Sequence, residues 1–322
     1  MAATETKQAA PTLLAAAQAG DSGAFADLVA PHRQSLHLHC YRMLASVEEA
    51  EEALQETLLR AWRSLGGYQE RAPLLHWLHR IATTTCLKAI TARGRRPATL
   101  AEVSHLQPYP DRLLDRVDPA DAVELRESVR LAFVAALQLL PATQRAVLIL
   151  REVLCWSSAE VAEFLDSSVP AVNSALQRAR ATLRSADPPR QPTLEAYDRE
   201  IAERFIASWR HLDLDALAAL LREDAILRMP PEPVEIVGRD AVCRFFATTP
   251  AEGRLDRIHL VATAANGQPA LAAYLPDATD TCQGYGIMVL TTTPAGIAEI
   301  TGFPDQALFE WFGLPQESAL LR

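Results

Sequence analysis

The sequence predicts a multidomain protein with two all-α domains followed by an α+β domain. Apolar residues recur at helical spacing over 12–93 and again over 120–185. Beyond residue 194 the pattern changes from helical to alternating apolar and β-branched segments separated by turns. Within that last third, Asn266-Gly267 is a strong hairpin signal.

Two breaks mark the domain boundaries. Residues 94–119 and 186–193 are rich in proline and read as linkers between domains 12–93, 120–185 and 194–322. Within the last domain, long helices are expected over Leu194–Leu221, and four strands after them. The predicted strands are Arg257–Ala265, Gln268–Leu275, Gly284–Thr292 and Gly296–Thr301.

Bulk composition limits the class of protein. The 322 residues are 49% hydrophobic and 22% charged, which is typical of a soluble globular protein. The net charge is -9, whereas a free-standing DNA-binding protein is usually basic. The five cysteines include no Cys-x-x-Cys pair, and we see neither a signal peptide nor a membrane-spanning run, so we expect a cytoplasmic protein.

The segment Ser157–Arg184 has the pattern of a helix-turn-helix. Asp166 sits in the expected turn, and Ser168 is placed to cap the second helix. That helix has an apolar stripe, and polar side chains suited to base edges and phosphates occupy its other face. The stripe is Val169, Val172, Leu176, Ala179 and Leu183; the polar candidates are Ser168, Asn173, Ser174, Gln177, Arg178, Arg180 and Arg184. An ordinary helical hairpin with a solvated polar face is the alternative for this segment alone.

Two surfaces are candidates in the front block. Ser46 begins a helix reaching about Leu65, and one flank of that helix is acidic. This flank fits either a docking surface for a basic partner or a plain solvated face; it comprises Glu48, Glu52, Gln55 and Glu56. A polar loop and the helix after it combine basic, hydroxyl and aromatic groups suited to an unstacked single strand. These residues are Tyr68, Gln69, Arg71, Trp77, Arg80, Thr84 and Lys88, although core packing is the simpler role for Trp77.

The two helical blocks together resemble a sigma-70-type factor. The run AEEALQETLLRAWRSL…YQERAPLLHWLHRIATTTCL is similar to region 2, and PATQRAVLILREVLCWSSAEVAEFLDSSVPAVNSALQRARATL is similar to region 4. The short linker between them resembles the extracytoplasmic-function (ECF) class. The resemblance implies a cytoplasmic RNA polymerase subunit that recognises promoters.

The same resemblance implies roles for each candidate. The acidic flank would dock on the clamp helices of the largest polymerase subunit, and Pro141–Leu154 would contact the flap tip. Tyr68–Lys88 would open and read the −10 element, while Val169–Arg184 would read the −35 element. The chain departs from the family at Thr84, Thr85 and Lys88, and at Asn173 and Ala175, so a promoter sequence cannot be carried over.

The last third resembles a SnoaL-like domain of the cone-shaped NTF2-like fold. The resemblance rests on the LEAYDREIAERFIASWRHLDLDALAALLREDAILRMPPEP opening and the EITGFPDQALFEWFGLP closing segment. It implies a domain that contacts the sigma domains and regulates them in cis, with an unidentified small ligand in its pocket. An enzyme of the cyclase or isomerase type is the alternative, with candidate acid/base groups His211, Asp213, Asp224, His259 and Tyr274.

No catalytic residue, cofactor or metal site is predicted. His32, His37, His39 and Cys40 lack the spacing of a structural zinc site, and Gly284 and Gly286 read as strand or turn glycines. The expected function is therefore an alternative sigma factor. The competing functions are an enzyme with a DNA-binding front, and a regulator that binds DNA without polymerase.

Overall fold

The structure is a computed structural model that describes residues 12–94, 97, 99–114, 128–186, 195–277 and 281–318. Residues 115–119 of the first predicted linker and 187–193 of the second lie outside the described residues. The chain divides into two compact units. One comprises residues up to Arg96 with Leu140–Thr182, and the other comprises Pro97–Leu139 with Leu183–Arg322.

The first unit begins with a helical bundle. Its helices are α1 (Ser22–Val29), α2 (Arg33–Leu44), α3 (Val47–Ser64) and α4 (Leu74–Arg93). Helices α2, α3 and α4 pack against one another around buried Leu36, Met43, Leu54 and Leu78. The predicted start of α3 is confirmed, because Ser46 Oγ accepts a hydrogen bond from the Glu49 N–H at 3.2 Å.

The second helical block contains α5 (Leu131–Gln138), α6 (Ala142–Leu148), α7 (Ser158–Phe164) and α8 (Val169–Ala186). Helix α5 belongs to the second unit, whereas α6, α7 and most of α8 belong to the first. A π-helical turn, Ile149–Val153, continues α6.

Helices α7 and α8 form the predicted helix-turn-helix. Ser157 and Glu160 make a reciprocal capping box at the start of α7. Asp166 has a φ of 47°, the left-handed conformation expected for this turn. Ser168 Oγ caps α8 by accepting from the Ala171 N–H at 3.3 Å.

The apolar stripe of α8 is shorter than predicted. Val172, Leu176 and Ala179 are buried, but Val169 is 41% exposed. Val169 was wrongly assigned to the packed face, because it begins the helix beside the exposed turn, where the described residues leave it uncovered. Ala175 is buried in addition.

The second unit is an α+β cone. Its helices are α9 (Glu195–Arg210), α10 (Leu214–Leu220), α11 (Arg239–Thr248) and α12 (Leu308–Phe312). Its strands are β1 (Leu221–Arg228), β2 (Glu235–Val237), β3 (His259–Ala265), β4 (Gln268–Pro276), β5 (Cys282–Thr293), β6 (Gly296–Phe303) and β7 (Glu317–Ser318). The four predicted strands therefore correspond to β3, β4, β5 and β6, each within two residues at either end.

The strands form one sheet in the order β2-β1-β6-β5-β4-β3, with β7 added beside β5. β1 and β6 run parallel, and the other pairs are antiparallel. Helices α9, α10 and α11 cover one face, where Phe205, Leu217, Val242 and Leu290 form the core. Residues 97–114 and helix α5 also pack in this unit.

Among the helices that the structure describes, we find none with the length and apolar character needed to cross a bilayer.

Candidate nucleic-acid interface

The acidic flank lies on the exposed side of α3. Glu48, Glu52 and Gln55 are exposed, and Leu59 beside them is 43% exposed. Glu56 is partly exposed, and its carboxylate accepts a hydrogen bond from Arg60 Nε at 2.6 Å. The flank thus presents carboxylates around one apolar side chain, a pattern that suits a basic partner with an apolar patch.

The loop before α4 is held by an aromatic contact. The Tyr68 and Trp77 rings lie 5.1 Å apart, and the Tyr68 hydroxyl donates to the Ala72 carbonyl at 2.7 Å. Trp77 is half-buried against the core around Leu65, so it has the structural role that composition alone favoured. Burial, followed by the Glu70 carboxylate, raises the pKa of Tyr68 above its usual value. Gln69 and Arg71 are exposed in the same loop.

Three predicted DNA-reading residues form one stripe on α4. Arg80, Thr84 and Lys88 are spaced four apart, and Thr84 and Lys88 are exposed. Thr84 Oγ1 donates to the Arg80 carbonyl at 2.9 Å, which still leaves its oxygen open to other donors. The stripe therefore offers two unhindered polar side chains at its carboxyl-terminal end.

The other end of the stripe is covered by the helix-turn-helix. The Arg80 guanidinium lies 5.3 Å from the Phe164 ring centroid and 4.0 Å from Glu163. One turn earlier, the His76 ring stacks on Trp156 with centroids 4.9 Å apart. We call these contacts the α4–α7 contact. In this arrangement Arg80 contacts Phe164 and Glu163, while its side chain remains 42% exposed.

The polar face of α8 is exposed along its length. Every predicted −35 residue of this region lies there in an exposed position: Ser168, Asn173, Ser174, Gln177, Arg178, Arg180 and Arg184. Several are held by neighbours, which orients them. Asn173 Oδ1 accepts from the Ser158 hydroxyl at 2.8 Å, Arg178 donates to Ser174 Oγ at 2.7 Å, and Arg180 pairs with Glu152.

A buried joint ties the chain before α5, and the start of α5 itself, to the C-terminal sheet. Asn266 in the β3–β4 turn accepts from the Tyr109 N–H at 2.8 Å and donates to the Val129 carbonyl at 2.6 Å. Gln268 Oε1 accepts from the Leu131 N–H, the first residue of α5, at 3.0 Å. We call these five residues the linker joint.

Further contacts extend the linker joint along residues 110–112. Pro110 bridges to Ala265, and Asp111 accepts from the Gly267 N–H at 2.9 Å. Arg112 donates to the Glu310 carbonyl at 3.0 Å and also to the Trp311 carbonyl. The sequence analysis did not predict these contacts. The Asn266-Gly267 pair was the only available signal, and it indicated a turn rather than a contact.

The C-terminal unit encloses an apolar cavity of about 280 Å³. None of the five acid/base candidates of the enzyme alternative lines it. Asp213 instead caps α10, Asp224 pairs with Arg222, and the Tyr274 hydroxyl donates to the Pro315 carbonyl. His211 is exposed, and His259 lies at the start of the edge strand β3.

The histidines of the front block are packing residues. Nε2 of His39 lies 2.9 Å from Thr83 Oγ1, and the rings of His39 and His79 meet edge to face at 5.2 Å. Burial lowers the pKa of His79 to about 4, although its hydrogen bond to the Leu75 carbonyl acts in the opposite direction. Burial, then His79 and Arg42, holds the pKa of His39 well below its usual value. Within the described part of the chain, no group of three His, Cys, Asp or Glu side chains is placed to hold a metal.

Comparisons with known proteins agree with this architecture. Models of three families match: Sigma-70 region 2 over 28–96, Sigma-70 region 4 over 130–183 and the SnoaL-like domain over 202–298. The ECF RNA polymerase sigma factor SigG of Mycobacterium tuberculosis is 42% identical over 91% of this chain and 84% of its own length. This chain belongs to the ECF sigma factors.

As an ECF sigma factor, the chain is a transcription factor rather than an enzyme: it directs core RNA polymerase to promoters and initiates transcription. SigW of Bacillus subtilis is 32% identical over 51% of this chain and 89% of its own length, so it matches the sigma regions alone. The crystal structure of M. tuberculosis SigJ has a similar fold, with a TM-score of 0.62 and 24% identity over 88% of this chain and 97% of that one.

Proposed function

We propose that the acidic flank of α3 docks this sigma factor on the clamp helices of the largest polymerase subunit. The proposal rests on the exposure of Glu48, Glu52 and Gln55 around the exposed Leu59 side chain. Glu56 joins them, because a surface pair with Arg60 is weak and easily exchanged for an intermolecular one. The π-turn segment Ile149–Val153 and helix α6 would contact the flap tip.

The two DNA elements would be read by different helices. Helix α4 and its preceding loop would capture the −10 strand, with Thr84 and Lys88 facing the bases and Arg71 on the backbone. Helix α8 would enter the major groove at −35, with Asn173, Gln177 and Arg180 toward base edges. The observation that supports this most strongly is the exposure of the entire polar face of α8 opposite its buried stripe.

The C-terminal domain would regulate these helices in cis. The linker joint fixes Val129 and Leu131 to the C-terminal sheet, and α5 begins the segment that matches region 4. The position of region 4 would therefore depend on whether the joint is closed. We place the protein in the cytoplasm, where core polymerase works.

The polymerase role is tested by promoter-dependent transcription with core polymerase from the same organism and the full-length chain. Glu56→Arg places a cation in the acidic flank, so we expect core binding to weaken at least fivefold while the melting temperature stays unchanged. Glu203→Arg makes the same charge change on exposed α9 and should leave binding intact. If both variants and the wild type bound core polymerase with equal affinity, the acidic flank would not be the docking surface.

The −35 role is tested by Arg180→Ala. If Arg180 reads a base, promoter binding by the holoenzyme should weaken by about 1–3 kcal/mol and discrimination at one position should relax. Arg204→Ala on α9 is the matched control for loss of an exposed arginine. Full-strength binding of the Arg180 variant at every promoter would argue against a base contact. Tight, specific promoter binding by the chain without polymerase would favour the polymerase-independent alternative.

A further inference from the structure

The side chain of Asn173 is held by the helix that precedes it. Asn173 lies in the second turn of α8, on its exposed face, and Ser158 is the first residue of α7. The Ser158 hydroxyl donates to Asn173 Oδ1 at 2.8 Å, across 15 positions of the sequence. One side-chain hydrogen bond therefore joins α7 to the helix that we propose to read the −35 element.

Both ends of this hydrogen bond lie on well-fixed backbone. Ser158 follows Ser157, whose capping box with Glu160 fixes the start of α7. Val161 of α7 is buried, and so is Val172, directly before the asparagine on α8. Packing and capping thus position the two helices, and the hydrogen bond has only to orient the asparagine amide.

The orientation of an asparagine amide decides which of its groups faces a ligand. Oδ1 is an acceptor, whereas Nδ2 carries two donors. The two atoms diverge from Cγ, so an oxygen held against α7 turns the nitrogen away from α7. The exposed end of Asn173 therefore presents hydrogen-bond donors.

Such an orientation discriminates between the two purines in the major groove. Adenine presents the N7 acceptor and the N6 donor, and asparagine reads it with its nitrogen and its oxygen together. Guanine presents two acceptors, N7 and O6. An amide whose oxygen is already bonded to a hydroxyl matches guanine, because the amino group of adenine would meet a second donor.

The hydrogen bond gains importance when α8 enters the groove. Ser158 is partly exposed in the free protein, where water competes for both partners. Docking on DNA removes this water, and a hydrogen bond in a medium of lower dielectric constant is stronger and costs more to leave unmade. Turning the amide to read adenine would then leave the Ser158 hydroxyl without its acceptor.

We propose that Ser158 is a positioning residue for −35 specificity. It holds Asn173 as a hydrogen-bond donor, so that α8 prefers guanine to adenine at the base pair that Asn173 faces. The inference rests on the proposed role of α8 as the −35 reader. It adds the identity of the selected base and a residue of α7 that selects it through Asn173.

The test uses holoenzyme assembled from the full-length chain and core polymerase of the same organism. A promoter that this holoenzyme uses is changed to all four bases at each −35 position, and the affinity for every version is measured. The position that loses discrimination in Asn173→Ala is the one that Asn173 faces. There we expect wild type to prefer guanine to adenine about tenfold, and Ser158→Ala to reduce this ratio about fivefold.

Further variants distinguish positioning from a structural role. Ser158→Thr keeps the hydroxyl and should keep the wild-type ratio, as should Ser167→Ala, which removes an exposed hydroxyl from the turn. Asn173→Asp presents only acceptors, so its preference should move from guanine to cytosine. In an Asn173→Ala background, Ser158→Ala should not change base preference. Lower stability alone cannot produce this pattern, because the ratio for two promoters does not depend on how much holoenzyme is folded.

The inference is wrong if wild type prefers adenine at that position, if Ser158→Ala keeps the wild-type ratio, or if Asn173→Ala changes discrimination nowhere. Each of these results leaves −35 reading by α8 intact, because Gln177 and Arg180 lie on the same face. The proposed function fails separately, if Gln177→Ala and Arg180→Ala also change neither affinity nor discrimination at any −35 position. A holoenzyme that uses no promoter contradicts the proposed function and this inference together.

Discussion

Asn266 illustrates how much one side chain can do in this protein. It occupies a left-handed position in the β3–β4 turn, with a φ of 58°, a conformation that asparagine tolerates better than most residues. Its amide group is fully buried and bonded to Tyr109 and Val129. One residue therefore closes a hairpin and fastens the chain that leads to region 4.

The substitution Asn266→Asp tests the hydrogen bonds of this residue separately from its role in the turn. The carboxylate retains the acceptor for the Tyr109 N–H and loses the donor to the Val129 carbonyl, which then remains buried without that bond. We expect a loss of about 1–3 kcal/mol in the stability of the C-terminal unit. Urea unfolding measures it, with Asn266→Gly as the comparison that keeps the turn and removes both bonds. A stability equal to wild type in both variants would mean that the joint contributes nothing.

The sequence predicts the turn at Asn266 but not its contact with Tyr109. The Asn-Gly pair predicts the turn because the turn chemistry is local. The Tyr109 partner lies 157 positions away, and no local pattern encodes such a contact. For the same reason the sequence could not place the acid/base candidates relative to the cavity, because their distance from it depends on how the strands are ordered.

At the scale of helices, the α4–α7 contact joins α4 to the helix-turn-helix, the two elements that we propose to read DNA. Phe164 and Glu163 of α7 hold Arg80 of α4, and Trp156 covers His76. If α4 reads the −10 strand as proposed, the Arg80 guanidinium, which is 42% exposed, would exchange its contacts with Phe164 and Glu163 for contacts with DNA. The α4–α7 contact would then compete with binding of the −10 strand.

The substitution Phe164→Ala tests this competition. Removing the ring abolishes a cation–π contact of about 0.5–1 kcal/mol, so the free protein should bind a single-stranded −10 oligonucleotide about twofold to fivefold more tightly. Fluorescence anisotropy measures the affinity. In an Arg80→Ala background the same change should have no effect, since the group it releases is absent. A gain of equal size in that background would show that Arg80 is not the released group.

The positions of the helices could be predicted from the sequence, but the elements against which each helix packs could not. Capping and spacing at Ser46, Ser168 and along α8 predicted real helices. The assignment of Val169 to the packed face failed because burial depends on which element lies opposite. Helix α5 follows the same rule: its sequence places it with region 4, and its contacts place it on the C-terminal unit.

At the scale of the molecule, the buried histidines make stability depend on pH. His39 and His79 are neutral when folded, because burial depresses their pKa values, to about 4 for His79. Unfolded imidazoles titrate near 6.5, so below that pH the unfolded state binds more protons. Stability is complete above pH 6.5 and falls as the pH drops toward 4.

We therefore expect each of these histidines to contribute a loss of up to about 1.4 kcal/mol per pH unit below 6.5. Hydrogen exchange of α2–α4 amides at pH 7 and pH 5.5, corrected for intrinsic rates, measures the stability of the front block. His79→Asn keeps a donor for the Leu75 carbonyl and should reduce the pH slope. His211→Asn, on an exposed position, should leave it unchanged, and an identical slope in both variants would contradict the assignment.

The linker joint also has a consequence for the order in which the protein is made. Ribosomes deliver Val129 and Leu131 well before the β3–β4 turn that holds them, since each pair is 137 positions apart. During that interval the α5 side chains that line a cleft beside β1 and β6, Leu131, Ala132 and Ala135, have no completed sheet opposite them. Region 4 of a nascent chain is thus unfinished until the last domain emerges. A chain whose synthesis stops early would carry α4 and α8, the helices that we propose to read DNA, together with an exposed apolar surface, which chaperones and proteases recognise.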